Sequence, residues 1–532
     1  MAPGTPVGRL LLAAPRMTPT AAQWMQQGAT CIAAQDFEQA VYAFHQAYLQ
    51  SPADAYARFW LGESLFHLGR YADSVTVLAD LDPGTDAALD LEHALTLGRA
   101  LQLTGQSAQA ELVLLKAFVA HPQQEAAAYN LAVFYEQAHQ PAQALQFLEP
   151  AVARFPESAR LNYNLGVNYA NCGHTDAAVA AFEATLRIDP HHLHAHQNLA
   201  LHCLRTGLWC DGWRHYAWRF NRHQWEGSPH VWVPHTPVFD AHMAGTTIEL
   251  VGEQGLGDEL FFLRFVPELV RRGARVCYRV GNDRLLPLFE PLVGSGLLHC
   301  LVPAHAPIQG GDSRMLVGDL PLALWGHRTS PADRSCPAPL TLQPTPQATA
   351  RMYEKLPALA AAPVRPRLGL TWRAGTAETA SGFNPNRLLS KQVPLQHLLD
   401  ILQPLDIDVV ILQRNPTDDE LTAIAQALGP ARCRDASMLD QNLCELLALL
   451  NALDGLVGVS NTNVHLMASL GKGGHILVPS PPEFRWMSEG SQSPWLPHFH
   501  VLRQTGDGNW DPAMAQLRAQ LEGASAALRP RC

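Results

Sequence analysis

The sequence lacks the features that mark membrane proteins, zinc proteins and nucleic-acid-binding proteins. It has no run of about eighteen apolar residues without a charge or a proline, and it therefore predicts no membrane span. Its ten cysteines are scattered and form no CxxC pair, a pattern typical of reduced, mostly buried thiols in a cytoplasmic protein. The formal net charge is -10, so no overall basic field would attract nucleic acid.

Length and apolar content indicate a large, well-packed protein. The chain has 532 residues, of which 47% are hydrophobic and only 16% are charged. A chain of this length is too long for one hydrophobic core, and its composition is that of a folded protein and not of a disordered one. We therefore expect three or four packing units.

The first two hundred residues repeat with a period of 34. Pro122, Pro156 and Pro190 are separated by this step, and a small residue recurs at the matching position of the first helix in successive units. Small residues let paired helices approach closely, while larger ones fill the seam between them. The small residues are Gly62, Gly98, Ala132, Gly166 and Ala200.

This spacing resembles the tetratricopeptide repeat, in units that begin near residues 21, 55, 91, 125, 159 and 193. It predicts an all-α superhelix over residues 21–226, after an N-terminal extension of residues 1–20. Such superhelices often bind an extended polypeptide in their concave groove.

Three asparagines repeat with the same step. Asn130, Asn164 and Asn198 each stand two places before the small residue of their unit. A carboxamide both donates and accepts hydrogen bonds, so a ladder of them on the concave wall could bind the backbone of an acceptor peptide. The alternative is that asparagine is simply common at this repeat position.

The end of the sixth unit is rich in aromatic residues. Trp209, Trp213, Tyr216, Trp218 and Phe220 crowd together, and aromatic residues at helical spacing are more often core than a sugar platform. We expect them to join the superhelix to the next domain. The histidine cluster at residues 191–196 has no carboxylate or thiol to complete a metal site, so we expect no metal there.

From Thr247 the pattern changes to short apolar runs separated by amphipathic helices, which predicts βαβ units with parallel sheets. A lobe at residues 227–328 is followed by a proline-rich and alanine-rich linker at 329–366 and by a second lobe with a terminal helix at 367–532. Two Rossmann-like lobes would form a ligand cleft outside the carboxyl ends of their strands. The predicted strands are IELVG, RVCYRV, RLGLTW, DVVILQ, GLVGVS and HILVPS.

Two strand-to-helix turns in this region could bind an anionic ligand. GEQGLGD places Gly255 and Gly257 where the backbone can approach a ligand and where a helix N-terminus favours negative charge. GVSNTNVHLMASLGK brings hydroxyls, amides and backbone N–H groups to a second turn, with His465 one turn inside its helix. In both turns the alternative is ordinary helix capping.

GEQGLGDELFFLRFVPELVRRGARV resembles the opening motif of the repeat-bearing relatives of bacterial heptosyltransferases, a GT-B family that takes sugars from nucleotide donors. GVSNTNVHLMASLGK, VPSPPEFRWM and SPWLPHFHVLRQ resemble the closing motifs of that family, and the match covers most of residues 247–510. Repeats joined to such a domain are also similar to protein O-GlcNAc transferases and to bacterial flagellin glycosyltransferases. The resemblance implies a tetratricopeptide-repeat superhelix followed by an α/β GT-B-like domain of two Rossmann-like lobes.

The resemblance also gives individual residues a role. Asp258 stands where heptosyltransferases carry their proposed catalytic base, with Glu253 as the second candidate. Lys391 matches a lysine that contacts the donor phosphate, and Asn461 stands where relatives often have an aspartate, so this site has lost a charge. The predicted donor-binding residues are Gly255, Gly257, Arg373, Lys391, Gln413, Asn461, Thr462, Asn463, His465 and Glu483.

Together these features predict a glycosyltransferase that moves a sugar from a nucleotide-sugar donor to a protein hydroxyl, with flagellin as one candidate acceptor. The resemblance implies an inverting reaction without a metal or another cofactor, and the sequence has no DxD pair at a strand end. Two alternatives stay open. One is a repeat scaffold whose α/β domain has lost catalysis, which the Asn461 departure motivates. The other is a transferase that acts on a saccharide acceptor.

Overall fold

The computed structural model describes residues 19–84, 86–219, 245–306, 313–325, 336–374 and 391–527. The chain divides into two compact units, Met1–Pro190 and His191–Cys532. In the described ranges, no helix is both long and apolar enough to cross a membrane.

The described part of the first unit is built from helices, and each helix packs against the next one along the chain. The helices are α1 (Ala21–Ala33), α2 (Phe37–Gln50), α3 (Ala55–His67), α4 (Tyr71–Leu78), α5 (Ala87–Leu103), α6 (Ser107–Ala120), α7 (Glu125–Gln137), α8 (Pro141–Arg154), α9 (Ala159–Asn171) and α10 (Thr175–Ile188).

The small residues of the repeat lie where the sequence predicts them, against the paired helix. A Cβ atom at Gly166 would lie 2.6 Å from the Phe182 ring, and one at Gly62 would lie 2.5 Å from Leu78. Because real Cβ atoms are not found so close to other atoms, only glycine permits this helix separation. The predicted close approach of paired helices is confirmed at these positions.

Most of the predicted repeat starts coincide with the start of a helix, at residues 21, 55, 125, 159 and 193. The third does not, since α5 begins at Ala87 and not at 91. The Asp86 side chain accepts hydrogen bonds from the backbone N–H groups of Ala88 and Leu89, at 3.0 and 3.1 Å. This N-cap adds one turn to the helix.

The second unit begins with one more helix pair, α11 (Leu193–Thr206) and α12 (Trp209–Tyr216), and continues into a parallel sheet of four strands in the order β3-β2-β1-β4. This sheet and its helices are called the first lobe. Its elements are β1 (Thr247–Val251), α13 (Leu256–Phe262), α14 (Val266–Arg271), β2 (Arg275–Arg279), α15 (Leu286–Gly294), β3 (Cys300–Val302), β4 (Ser313–Leu316) and α16 (Leu320–Trp325).

After α17 (Pro346–Lys355) comes the second lobe, whose parallel sheet has six strands in the order β10-β9-β8-β5-β6-β7. The alternation of strands and helices predicted from the sequence is confirmed, and all the strand pairs of both sheets are parallel. The elements are β5 (Arg367–Leu370), α18 (Leu395–Leu402), β6 (Asp408–Ile411), α19 (Asp418–Leu428), β7 (Cys433–Asp435), α20 (Leu443–Asn451), β8 (Gly455–Val459), α21 (Thr462–Ser469), β9 (Gly474–Val478), β10 (Phe499–Arg503) and α22 (Asp511–Ala527).

The aromatic residues at the end of the sixth repeat pack against both lobes. The ring centroid of Trp213 lies 6.1 Å from that of Phe262 in the first lobe and 5.7 Å from that of Phe484 in the second. Trp213 is only 1% exposed, so it is part of the core, as the sequence predicts for this cluster. Phe220, the last member of the predicted cluster, lies outside the described residues.

One pair of cysteines in the structure differs from the prediction of reduced thiols. Cys277 of β2 and Cys300 of β3 form a disulfide, and their Cα atoms are 4.5 Å apart. They are 23 residues apart in sequence, and only the parallel pairing of β2 with β3 places them directly opposite each other.

Candidate functional site

A chain of ion pairs joins the carboxyl-end loops of the two sheets. Asp258 follows β1, Lys391 follows the β5 region, and Glu483 and Arg485 follow β9. Arg485 pairs with both Asp258 and Glu483, and Glu483 pairs in turn with Lys391. Because the carboxyl ends of parallel strands are where α/β folds bind ligands, this ion-pair chain marks the candidate site.

Asp258 lies in the first turn of α13 and is held from two sides. Its Oδ2 accepts a hydrogen bond of 3.1 Å from the backbone N–H of Gly255, and its Oδ1 accepts one from Arg485. The Gly255 contact is the helix-capping interaction that the sequence allowed as the alternative role. The side chain is still 26% exposed, so the carboxylate can also reach a substrate.

Glu253, the second candidate base, is buried in a different ion pair. Its carboxylate binds Arg219 through Nε at 3.0 and 3.1 Å and accepts a hydrogen bond of 3.0 Å from the Gly318 N–H. Arg219 also pairs with Asp319 at 2.7 Å. Since the Glu253 side chain is only 4% exposed, Asp258 is the accessible carboxylate of the two.

Glu483 is the centre of the ion-pair chain. It accepts a hydrogen bond of 2.5 Å from Lys391 Nζ and one of 3.2 Å from Ser460 Oγ, and it also pairs with Arg485. Burial by itself would raise the pKa of Glu483, but the charges of Lys391 and Arg485 outweigh it and hold the pKa well below the usual range. Glu483 is therefore an anion that brings Lys391 and the β8 turn together.

Arg485 is a cation despite its burial. Burial by itself would lower its pKa, but the carboxylates of Glu483 and Asp258 raise the pKa above the usual value for arginine. The sequence indicated no individual role for Arg485. The only signal in the sequence was its place in the VPSPPEFRWM motif, which says nothing about a partner in the other lobe.

Gly257 and His465 bring the two lobes into direct contact. A Cβ atom at Gly257 would lie 2.9 Å from Cδ2 of His465 in α21. Burial lowers the pKa of His465 well below the usual value, and the neighbouring Arg485 lowers it further, so the imidazole is neutral. The absence of a side chain at Gly257 serves this packing, whatever further contact it makes with a ligand.

The second predicted anion-binding turn, which follows β8, is held in shape by hydrogen bonds of its own asparagine side chains. Asn461 Oδ1 accepts a hydrogen bond of 3.0 Å from the Asn463 N–H, and Asn461 Nδ2 donates one of 3.1 Å to Thr371 Oγ1. Asn463 is buried, and its Nδ2 lies 3.5 Å from the Leu412 carbonyl oxygen. Thr462, at the first position of α21, is partly exposed.

Arg373 and Gln413 form a separate network at the ends of β5 and β6. Gln413 Oε1 accepts hydrogen bonds of 2.9 and 3.0 Å from the backbone N–H groups of Trp372 and Arg373. The Arg373 guanidinium pairs with Glu420 and donates a hydrogen bond of 2.8 Å to the Asn415 carbonyl. The Arg373 guanidinium and the Gln413 amide are therefore engaged by the protein and are not linked to the ion-pair chain.

The sixth repeat contacts the loops that carry this site. Gln254, next to the glycines of the first loop, donates a hydrogen bond of 2.8 Å from Nε2 to Tyr216 Oη. Behind Arg485, the Ser488 N–H donates one of 2.8 Å to the Arg205 carbonyl. Helices α11 and α12 thus contact both halves of the site, whereas the sequence had predicted only that the aromatic cluster joins the repeats to the next domain.

The three repeated asparagines share one conformation. The Nδ2 groups of Asn130, Asn164 and Asn198 donate to the carbonyl four residues earlier in their own helices, at 2.9, 2.8 and 2.9 Å. This bond fixes each carboxamide and uses one donor, while its oxygen accepts no hydrogen bond from the described part of the chain. The acceptor-peptide role of these residues stays a prediction.

Comparison with known proteins identifies the helical part. A family model described as tetratricopeptide repeat matches residues 32–90 and 135–201. The helical part of the chain is a tetratricopeptide-repeat region. The two matched segments include parts of five of the six predicted repeat units.

Three relatives illustrate what each region is similar to. Protein FlbA of Caulobacter vibrioides is 24% identical over 465 residues, which cover 82% of this chain and 74% of FlbA. A structure of MamA from Desulfovibrio magneticus, 21% identical, covers 33% of this chain and 98% of its own, with a TM-score of 0.29. A glycosyl transferase family 9 structure from Veillonella parvula, 14% identical, covers 54% of this chain and 97% of its own, with a TM-score of 0.37. The resemblance to heptosyltransferases stays a prediction.

Proposed function

We propose that the chain is a glycosyltransferase that moves a sugar from a nucleotide-sugar donor to a hydroxyl group on a protein bound by the tetratricopeptide-repeat region. The observation that carries the proposal is the ion-pair chain between the two lobes. It has an accessible carboxylate, Asp258, at one end and a partly exposed cation, Lys391, at the other. Transfer from a diphosphate needs these two groups on opposite sides of the reacting carbon.

In the proposed reaction, the acceptor hydroxyl attacks the anomeric carbon while Asp258 takes its proton. The bond between that carbon and the diphosphate oxygen breaks, and the nucleoside diphosphate leaves with the bonding electrons. This single displacement inverts the anomeric centre. Lys391 and the N–H groups and hydroxyl at Thr462 stabilise the negative charge that develops on the leaving group. The chemistry requires no metal and no other cofactor.

The contacts of the predicted donor residues divide them into two groups. Lys391 is 24% exposed and can turn from Glu483 to a phosphate oxygen, and Thr462 is a partly exposed residue. Glu483 is itself an anion that would repel a diphosphate, so we assign it to holding Lys391 in place. Arg373 and Gln413 would have to leave their present partners to contact the donor.

The charge of the first unit favours a protein partner of the opposite sign. Residues 1–190 hold 18 acidic and nine basic side chains, in a chain whose formal net charge is -10. This unit therefore carries nearly all the net negative charge. An acceptor with a basic segment would associate faster at low ionic strength. The asparagine ladder would bind the backbone of that segment, and flagellin stays one candidate acceptor.

The direct test uses the full-length chain with a panel of labelled nucleotide sugars. We expect donor hydrolysis or transfer with at least one donor, and a loss of about a hundredfold or more in Asp258→Asn, which keeps the size of the side chain but cannot accept the proton. Asp258→Asn should stay folded, with a melting temperature lowered only by the loss of its ion pair with Arg485. If the wild type neither hydrolyses a donor nor binds a nucleotide, the α/β unit is part of a scaffold and the proposal is wrong.

A second test separates a protein acceptor from a saccharide acceptor. The deletion should cover residues 21–190 and should keep α11 and α12, because these helices contact the loops at Gln254 and Ser488. We expect this variant to retain donor hydrolysis and to lose transfer to a protein. Transfer to a small sugar acceptor at the wild-type rate would instead favour a saccharide substrate.

We also propose that the reaction takes place in the cytoplasm, where thiols are kept reduced. The Cys277–Cys300 disulfide would then open in the cell. Trapping free thiols with an alkylating reagent at the moment of lysis, followed by mass spectrometry, measures this directly. A fully oxidised pair would argue for a different compartment.

A further inference from the structure

We propose that Arg485 is a positioning residue that holds the Asp258 carboxylate in its reactive orientation from across the junction of the two lobes. This proposal rests on the proposed function, in which Asp258 is the base. The observation behind it is that Asp258 belongs to the first lobe, while the side chain that fixes one of its oxygens comes from the second lobe, 227 residues later in the sequence.

The guanidinium of Arg485 is held more firmly than that of an ordinary surface arginine. It is 7% exposed and pairs through one terminal nitrogen with Asp258 and through the other with Glu483. Its Cζ lies 4.5 Å from the centre of the Phe261 ring and 4.7 Å from that of the Phe484 ring. Phe261 belongs to the first lobe and Phe484 to the second, so contacts from both lobes fix the position of the planar group.

This arrangement determines where the Asp258 carboxylate can point. The Gly255 N–H holds Oδ2 at 3.1 Å, and Arg485 holds Oδ1. With both oxygens held, the side chain is confined to one rotamer while each oxygen keeps a lone pair for a proton. Without Arg485 only the bond to Gly255 remains, and the carboxylate can rotate away from the acceptor hydroxyl. General-base catalysis depends on this geometry, whereas donor binding at Lys391 does not.

Lysine cannot replace arginine in this role. A single ammonium group has no planar fork with which to bind two carboxylates side by side, and it does not stack between two rings as a guanidinium does. Arg485→Lys therefore keeps the positive charge and removes the geometry. This variant distinguishes positioning from a simple effect of charge.

The test compares Arg485→Lys and Arg485→Met with the wild type, each also combined with Asp258→Asn, using the full-length protein and the donor found in the nucleotide-sugar panel. We expect both Arg485 variants to lower kcat about tenfold or more and to change the donor KM less than about threefold. When Asp258 is already asparagine, the Arg485 changes should lower kcat by less than about twofold, because there is no base left to position. Arg365→Met is the matched control, since it removes a guanidinium that pairs with Asp406 at the amino end of β5.

Three results would overturn the proposal. They are a kcat within twofold of wild type in both Arg485 variants, an effect on donor KM alone, or the same loss of kcat with and without Asp258. If Arg485→Met does not fold, Arg485→Lys decides, because it keeps the charge that Glu483 requires.

The failure of this inference can be distinguished from that of the proposed function. A panel in which no donor is hydrolysed or transferred would refute the glycosyltransferase proposal and with it the positioning role of Arg485. The contact itself is still measurable by the melting temperatures of Asp258→Asn, Arg485→Lys and the double variant. A double variant whose melting temperature falls by the sum of the two single effects would refute the contact as well.

Discussion

Replacing Gly257 with alanine should disturb the contact between the two lobes without unfolding either lobe. The new Cβ atom would lie 2.9 Å from Cδ2 and 3.4 Å from Nε2 of His465. The imidazole cannot move aside into solvent because His465 is 5% exposed and packs near the Phe261 ring, with a centroid distance of 6.2 Å. The strain must therefore be relieved by a shift of α13 relative to α21.

The size of the effect follows from these distances. Ordinary carbon–carbon contacts are about 3.5 to 4.0 Å, so the two helices must move apart by roughly 0.6 Å or more. Overpacking of this kind costs about 1 to 3 kcal/mol in the free energy of unfolding. Because Asp258 is the next residue, the same shift draws its carboxylate away from Arg485. A displacement approaching 1 Å can lower a rate about a hundredfold, so we expect kcat to fall between about tenfold and a hundredfold.

The assay is steady-state transfer, with thermal unfolding measured on the same preparations. Gly294→Ala is the control, since a Cβ atom at Gly294 would meet nothing within 4 Å. His465→Ala removes the ring that the new methyl group meets. In that background, adding Gly257→Ala should therefore lower kcat only slightly below that of His465→Ala alone. A kcat within twofold of wild type for Gly257→Ala, or a loss that His465→Ala does not relieve, would refute this account of the lobe contact.

Three further predictions concern pH, donor binding and acceptor binding. Burial raises the pKa of Glu259 from 4.5 to about 7, so the folded protein favours the protonated side chain. This preference stabilises the folded protein fully below pH 4.5, and the stabilisation is lost as the pH rises through 7. In the wild type, the free energy of unfolding should fall by up to about 3 kcal/mol over this pH range because of Glu259, and Glu259→Gln should abolish that fall in urea denaturation at several pH values. An unchanged pH dependence in Glu259→Gln would contradict the raised pKa of Glu259. Lys391→Met should raise the donor KM about tenfold or more with a smaller change in the melting temperature, and an unchanged KM would remove Lys391 from the donor site. Alanine at Asn130, Asn164 and Asn198 together should weaken transfer to a protein and leave donor hydrolysis unchanged, whereas equal losses in both assays would contradict the ladder.

Local patterns in the sequence were enough to predict the main elements. Each repeat carries its own small residue and helix start, so the period of 34 predicted helices at residues 55, 125 and 159 to the residue. The inner strands of the sheets are continuous apolar segments, which is why they could be predicted. The predicted strands IELVG and HILVPS, for example, correspond to β1 and β9. The edge strands β3, β4, β7 and β10 were not predicted, because their segments are either only three residues long or interrupted by polar residues, and such segments carry little signal.

The candidate site was predicted only in part. The sequence indicated the two loops that meet, and Asp258, Lys391 and the β8 turn do lie at the carboxyl ends of their sheets. The resemblance placed Asp258 before Glu253 as the candidate base, but the local sequence gave no physical reason for this order, since both are acidic residues of one loop. Burial separates them, because Glu253 is enclosed by Arg219 at the end of the sixth repeat.

The sequence alone determined the order of the architecture, a tetratricopeptide-repeat region followed by two parallel α/β lobes, because helix and strand periodicities are local and each segment carries its own. Only the tertiary structure decided which charges meet. Asp258 and Arg485, Lys391 and Glu483, and Cys277 and Cys300 become neighbours through the packing of strands and lobes. Nothing in the segment around one partner specifies the other, since that choice depends on how distant surfaces fit together.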